Sequence, residues 1–268
     1  MGWRAPETLA LAFPEAVPRP MTGAVELRLA EAAIAPVSRP ERASEVLVAL
    51  YETLGGERVT APLVRRLPSG ARAWLLCRAA ALLGRESGWF QADCSACGAP
   101  YDLRLHLAEV PKGPPGPGFP MTEVETSLGP RRFEVPNGRH EEVLARGTTA
   151  DPRRDLVALL GLAGTAVEDA CRFTEADLDR IEAALDAVAP DIGDEIATTC
   201  PACGAATRAV IDPLAFALPR PDEILRETHL IARAYHWDEG AIHALPVSRR
   251  RAYAQLIAAE MRGTGGAR

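Results

Sequence analysis

Two segments of one design, Cys94-Ser-Ala-Cys97-Gly98 and Cys200-Pro-Ala-Cys203-Gly204, stand far apart in a chain whose only other cysteines are Cys77 and Cys171. A Cys-x-x-Cys turn points two thiolates at one position, and two such turns supply the four soft ligands of a tetrahedral zinc site. Glycine after each pair lets the backbone take a positive φ while amide groups face sulfur. The pattern predicts a structural Zn2+ bound by Cys94, Cys97, Cys200 and Cys203. Everything between Cys97 and Cys200 is then an insertion into a zinc ribbon. A filled tetrahedral site leaves no position for water, so the metal holds structure and performs no hydrolysis. A redox dithiol is the rival, but reactive pairs sit at a helix start after a strand. Here strand-like residues follow each pair. Four unligated buried cysteines are the remaining alternative.

The 268 residues are 47% hydrophobic, ample for a packed core. A net charge of -6 leaves no overall basic field to hold a phosphate backbone, which disfavours nucleic acid as the main partner. Met1 to Met21 mixes charges and prolines and lacks the apolar stretch of a secretory signal. No segment reaches the roughly 20 apolar residues that cross a bilayer. A cytoplasmic protein without a membrane partner is therefore expected, and in a reducing compartment paired cysteines favour metal over crosslinks. Cys77 and Cys171 fall in apolar helical patterns and are expected to be buried.

The organisation reads as an α+β chain. Residues 1–22 form a Pro-rich arm that orders against a partner. Residues 23–110 hold helices and the first knuckle hairpin, and residues 111–193 an inserted hairpin with further helices. Residues 194–218 form the second knuckle hairpin, and residues 219–268 a helical bundle at the C-terminus. Alternation at Val25, Leu27 and Leu29 suggests a short strand. A helix after Pro40 carries Val46, Leu47, Leu50 and Leu54 and ends at Gly55-Gly56. Another runs from Pro68-Ser69 through Trp74, Leu75 and Cys77 to Gly84. Lys112 to Pro120 is a Pro/Gly run that holds neither ladder nor helix. A hairpin is expected around Gly129-Pro130. Thr174-Glu175-Ala176-Asp177 opens a helix with Leu178, Ile181, Leu185 and Val188 on one side. The tail reads as three helices, with Ile224, Leu225, Leu230 and Ile231 on the first, Asp238 capping the second, and Tyr253, Leu256 and Ile257 on the last. The final Gly-rich residues are expected to fray.

Other candidates for chemistry are weaker. His229, His236 and His243 fall seven apart, but with Tyr235 and Trp237 beside them they read as an aromatic packing cluster rather than a second metal site. His106 and His140 look like surface residues. Asp177 with Asp179, and Asp194 with Glu195, sit where solvated acids are common. Arg249-Arg250-Arg251 reads as a solvated helical face or a contact for an acidic protein. No phosphate loop and no serine elbow occurs, so no enzyme, catalytic residue or small-molecule substrate is expected.

The segment Glu227-Thr228-His229-Leu230-Ile231-Ala232, with Tyr235-His236-Trp237-Asp238-Glu239, Ile242, Leu245-Pro246 and Arg249-Arg250, follows soon after Cys-Pro-x-Cys-Gly and Asp212-Pro213-Leu214. It resembles the C-terminal signature of tailed-phage baseplate hub assembly chaperones and of similar proteins in phage-tail-like contractile injection systems. Arg65-Arg66-Leu67, the first knuckle and Phe133-Glu134-Val135-Pro136-Asn137-Gly138 extend the likeness over about residues 60 to 260. Residues 1 to 40 take no part in it. The resemblance implies a non-enzymatic role in building a baseplate, with hub or spike-associated subunits as partners; for such a role, exposed Trp3, Phe13 or Trp237 are the expected anchors. The alternative from another class is a zinc-ribbon nucleic-acid accessory protein. That needs a basic surface around the knuckles, whereas Asp93, Asp102, Asp191, Asp194 and Glu195 flank them.

Overall fold

In the computed structural model the described residues are 3–83, 87–147, 150–193, 195–212, 214 and 218–265. Gly84, Asp194 and Pro213, on which parts of the sequence reading fall, lie outside them, as do the last three residues of the tail. The chain is mixed α+β, as its patterning predicts.

The first half is a helical core. Helices α1 (Gly23–Ile34), α2 (Arg39–Leu50), the short α3 (Ala61–Arg65) and α4 (Ser69–Leu82) pack Leu29, Val46, Leu47, Leu50, Val64 and Leu75 together, all fully buried. α2 begins with a reciprocal cap, in which the Ser38 side chain accepts from the Glu41 amide and Glu41 accepts from the Ser38 amide at 3.0 Å. The strand expected at Val25 to Leu29 is instead part of α1. Thr22 caps it, and Val25, Leu29 and Ala32 recur at helical spacing on the buried side. The Ala-Glu-Ala-Ala run that follows favours helix strongly enough to outweigh a three-residue alternation. A second correction concerns Leu54. α2 ends at Leu50, and Tyr51–Leu54 form strand β2, which pairs with β1 (Ala16–Pro18) and with β3 (Glu57–Arg58). Gly55 and Gly56, at φ +57° and +83°, make the tight hairpin turn between β2 and β3 rather than a helix end.

The Pro-rich arm is not free. Trp3 bridges to Ala163, the Arg4 amide donates to Leu162 and the Leu9 amide to Arg66, and Phe13 packs edge-on against Trp74 with ring centroids 5.5 Å apart. Thr8 is buried, its amide donating to Glu134 at 2.7 Å and its hydroxyl lying 2.9 Å from the same carboxylate. Of the three expected anchors, Trp3 and Phe13 are thus engaged within the molecule, while Trp237 is exposed.

Beyond α4 come hairpin β4 (Ser87–Asp93) and β5 (Pro100–His106), the short strand β6 (Lys112–Gly113), and hairpin β7 (Met121–Thr126) and β8 (Gly129–Glu134). The helices α5 (Gly138–Arg146), α6 (Pro152–Leu160), α7 (Ala166–Arg172) and α8 (Glu175–Val188) follow. β7 and β8 lay Val124 and Phe133 on Val157, Leu160, Leu178 and Ile181 to make a second core. Strand β9 (Asp191–Ile192) pairs with β6, so the Lys112 run does hold a short ladder. Hairpin β10 (Glu195–Thr199) and β11 (Ala206–Val210) comes next. The chain closes with α9 (Pro221–Tyr235), α10 (Glu239–Ala244), capped by Asp238, and α11 (Val247–Gly265). Ile231, Ile242 and Ile257 join these last helices, while Leu225 and Leu256 point away, 53% and 57% exposed.

Three polar residues expected at the surface are interior. His140 is buried as the third residue of α5, its Nδ1 accepting from the capping Asn137 amide at 3.3 Å. Asp177 is fully buried because it serves both its own helix cap and the Ser127 amide and hydroxyl, at 2.8 and 2.6 Å. Arg250 is 1% exposed, held by Glu26 from α1 and by Glu227 from α9 at 2.9 Å, with Arg251 adding 2.5 Å to Glu26. In the other direction, Cys171 is exposed, while Cys77 is buried as expected. No helix of the described residues is long and apolar enough to cross a membrane.

Two outcomes follow from these interior charges. Removing one partner of a buried pair strands the other, so Glu26→Ala should destabilise the fold by about 3 kcal/mol in urea unfolding. Burial works to raise the Asp177 carboxyl, but hydrogen bonds from Ser127 and Thr174 outweigh it and hold it well below the usual carboxylate range. A carboxyl depressed in the folded state contributes stability above its unfolded value of about 3.9 and loses it as pH falls through the folded value. Melting curves of Asp177→Asn should therefore show a lower midpoint at neutral pH and a shallower acid decline than those of the parent.

Candidate metal centre

The two cysteine turns sit at the tips of antiparallel hairpins, β4 with β5 and β10 with β11, whose registers close on Asp93 opposite Pro100 and Thr199 opposite Ala206. Both turns use the same bonds. In the first, the Cys94 amide donates to Ala99 at 3.0 Å and the Gly98 amide to Cys94 at 2.8 Å. In the second, the Cys200 amide donates to Ala205 and the Gly204 amide to Cys200, both at 2.9 Å. Gly98 and Gly204 stand at φ +70° and +73°, and a Cβ at either would meet nothing within 4 Å. Backbone conformation, not space, therefore requires glycine there.

The hairpins bring all four predicted ligands together. Cys94 Sγ lies 3.8 Å from Cys203 Sγ, Cys97 Sγ lies 3.8 Å from Cys200 Sγ, and all four sulfurs fall within 4.8 Å of one another. A tetrahedron of sulfurs around one ion, with metal–sulfur bonds of about 2.3 Å, has edges of about 3.8 Å. Disulfides would need about 2.05 Å. Each close contact joins the inner cysteine of one turn to the outer cysteine of the other: Cys94 and Cys200 are buried, Cys97 and Cys203 exposed. Tyr101, Ala92 and Leu103 back the inner pair. The Ser95 amide donates to Thr207 Oγ1 at 3.3 Å, tying the first turn directly to the second hairpin.

Two of the thiols are shifted in opposite directions by their surroundings. Amides of Cys97 and Ala96 aimed at its sulfur pull the Cys94 thiol down to about 6, and the Ala96 donor lies 3.4 Å away. For Cys97, the Ala99 amide works downward, but the Cys203 sulfur, burial and the other two sulfurs carry it up to about 12. Four thiolates at this spacing repel one another, and a cation between them is what allows all to ionise. The set thus fits a thiophilic metal ion.

The remaining candidates do not assemble into a site. His229 and His236 are exposed, and His243 is buried with its Nε2 3.1 Å from the Thr228 hydroxyl. His236 takes the left-handed conformation that ends α9, φ +57°, and beside it Tyr235, Trp237 and Tyr253 stack with centroids 5.3 to 5.7 Å apart. Among the described residues the four cysteines are the only cluster of metal-ligating side chains. The link from Ser95 to Thr207 was not legible in the sequence, because nothing local marks two hydroxyl residues on different hairpins as neighbours.

No protein-family model matches the chain, and no curated protein and no solved structure compared with it does either.

Protein purified without chelator should carry about one metal equivalent per chain by elemental analysis, the stoichiometry of a single four-thiolate site. Cys200→Ser should lose most of that metal and melt well below the parent, whereas Cys171→Ser, at an exposed position away from the cluster, should change neither.

Proposed function

We propose that the metal is zinc, that the two hairpins form a zinc ribbon, and that the protein is a non-enzymatic assembly or structural component of a contractile tail baseplate. The four-sulfur set on two turns built alike carries the zinc reading. Zinc has no geometric preference of its own and accepts the tetrahedron that four thiolates impose, and a closed set of this kind serves structure rather than hydrolysis. Zinc is released when thiols reprotonate, so metal loss should rise as pH falls.

The baseplate reading is supported by the resemblance carried by the C-terminal segment from Glu227 to Arg250 and by the cysteine turns. The described surface also offers exposed apolar and aromatic groups for a protein partner at that end, namely Tyr235, Trp237, Leu256 and Met261. Hub or spike-associated subunits are the partners this implies, bound during assembly in the producing cell. A nucleic-acid accessory role has less in its favour. The turn segments 93–102 and 199–206 contain no lysine or arginine, and the nearest arginine on β11, Arg208, is paired with Glu195 at 3.2 Å.

The test is co-expression with neighbouring tail genes followed by affinity capture. Recovery of a hub or spike subunit is expected, and its loss on removal of residues after Tyr235 would place the contact. Capture of no tail component with the cluster expressed would overturn the reading, as would a salt-sensitive shift of DNA or RNA by the metal-loaded protein.

A further inference from the structure

A cleft of about 360 Å3 lies between α4, the segment after β5, and the β6–β9 ladder, away from the cysteine cluster. Its floor is apolar: Ala81, Leu107 and Ile192, with Trp74 and the buried Cys77 along one side. Two cations stand on it. The Arg78 guanidinium lies over the Trp74 ring, 5.1 Å from its centroid. The ammonium of Lys112, the sole lysine of the chain, lies 5.2 Å from the same ring and 5.4 Å from that of Phe13.

Among the described residues no aspartate or glutamate lines this cleft, and neither cation pairs with one. Elsewhere many arginines are matched, Arg39 to Asp212, Arg65 to Glu142, Arg131 to Asp169 and Arg153 to three acids. The aromatic rings steady the cations without neutralising them, so a charged site of positive sign is left over an apolar floor. The complement is an apolar group that carries one anion. A third feature narrows the class. β6 and β9 form a sheet of two strands, so main-chain groups on the outer edge of β6 have no strand partner among the described residues. A strand with one open edge that also sends Lys112 into a cationic, apolar pocket matches the three parts of a chain terminus: backbone, side chain and carboxylate.

We propose that this cleft captures the C-terminal residue of a partner polypeptide, with its apolar side chain on Ala81, Leu107 and Ile192 and its carboxylate between Arg78 and Lys112. The inference assumes neither a bound metal nor the baseplate role, since none of the four clustered cysteines and none of the C-terminal helices lines the cleft.

Fluorescein-labelled pentapeptides ending in Leu or Phe, each as free acid and as C-terminal amide, test it by fluorescence anisotropy at low salt. Saturable binding of an acid is expected, with at least a ten-fold loss on amidation and a similar loss in the double variant Arg78→Met, Lys112→Met. Methionine keeps the length of the apolar stem while removing the charge. Ala81→Trp should block the floor with both charges in place. Melting curves and metal content of the variants should match the parent, which separates loss of binding from loss of fold. Equal binding of acid and amide, or undiminished binding by the double variant, would overturn the proposal. So would octanoate binding without binding of any peptide, which would assign the cleft to a small apolar acid.

Discussion

Convergence of four sulfurs on one point constrains the chain more than any other contact, because the residues it joins are 103 and 109 apart in sequence. A crosslink that closes a loop of about 100 residues removes roughly 4.7 kcal/mol of chain entropy from the unfolded state in the loop-closure model. Bringing four thiolates together without a counter-charge costs free energy that a bound cation offsets, so the same atoms that close the loop fit a metal ion. A second closure lies just inside the first. Lys112 and Gly113 pair with Asp191 and Ile192, the Gly193 amide donates to Pro111 at 2.9 Å and the Gly116 amide to Val188 at 3.2 Å. The excursion from Pro111 to Gly193 therefore begins and ends on one short ladder, and its own core of β7, β8, α6 and α8 can form on local terms.

Buried charge makes the long-range joins that apolar packing does not. Arg72 of α4 donates to Ser44 at 3.0 Å and to the Pro40 carbonyl at 2.8 Å, and Ser44 in turn donates to Glu142 of α5 at 2.7 Å. That line runs from the first core into the inserted segment. Glu26 of α1 gathers Arg250 and Arg251 of α11, and main-chain bonds from Gly23 to Leu245 and from Val247 to Met21 join the same segments, so the two ends of the described chain are held to each other by polar contacts. Such pairs add little net stability over a well-packed hydrophobic replacement, but their geometry admits few alternatives. The Glu26 pairs join α1, which packs in the first core, to α11, which packs with Ile231 and Ile242, and this is where alternative dockings would otherwise be nearly equal in energy.

What could be read from the sequence follows the range of the forces involved. Cysteine spacing, the Thr174 to Asp177 capping box, the Asp238 cap and the hairpin around Gly129 are decided within a few residues, and each stands where the pattern puts it. β2 is different: Tyr51 to Leu54 continue the apolar spacing of α2, and only pairing with Ala16 to Pro18 on one side and Glu57 to Arg58 on the other makes them a strand. The same holds for the arm, whose prolines suppress helix and ladder signals while its order comes from Glu134, Leu162, Arg66 and Trp74 far along the chain. Arg250 looked solvated because its neighbours Arg249 and Arg251 are charged. A helix period of 3.6 residues nevertheless turns the middle arginine inward, and nothing near it in sequence announces Glu26.

The cysteine hairpins and the cationic cleft share one cluster of side chains, although their chemistry is separate. Leu107 and Ile192, which floor the cleft, pack in the same group as Leu105 of β5 and Ile211 after β11, with Cys77 and Ala80 of α4 closing it. The strands that carry the cysteines thus end in the wall against which the cleft is formed. If the hairpins separate, Leu105 and Ile211 no longer meet, and Ile192 loses the neighbours that fix it beside Leu107. Close-packed interiors transmit such a change because side chains have few low-energy alternatives. The pairing of the two cysteine hairpins therefore bears on the shape of a surface outside them, and Lys112 stands on Trp74 from β6, which pairs with β9 at the foot of the same hairpins.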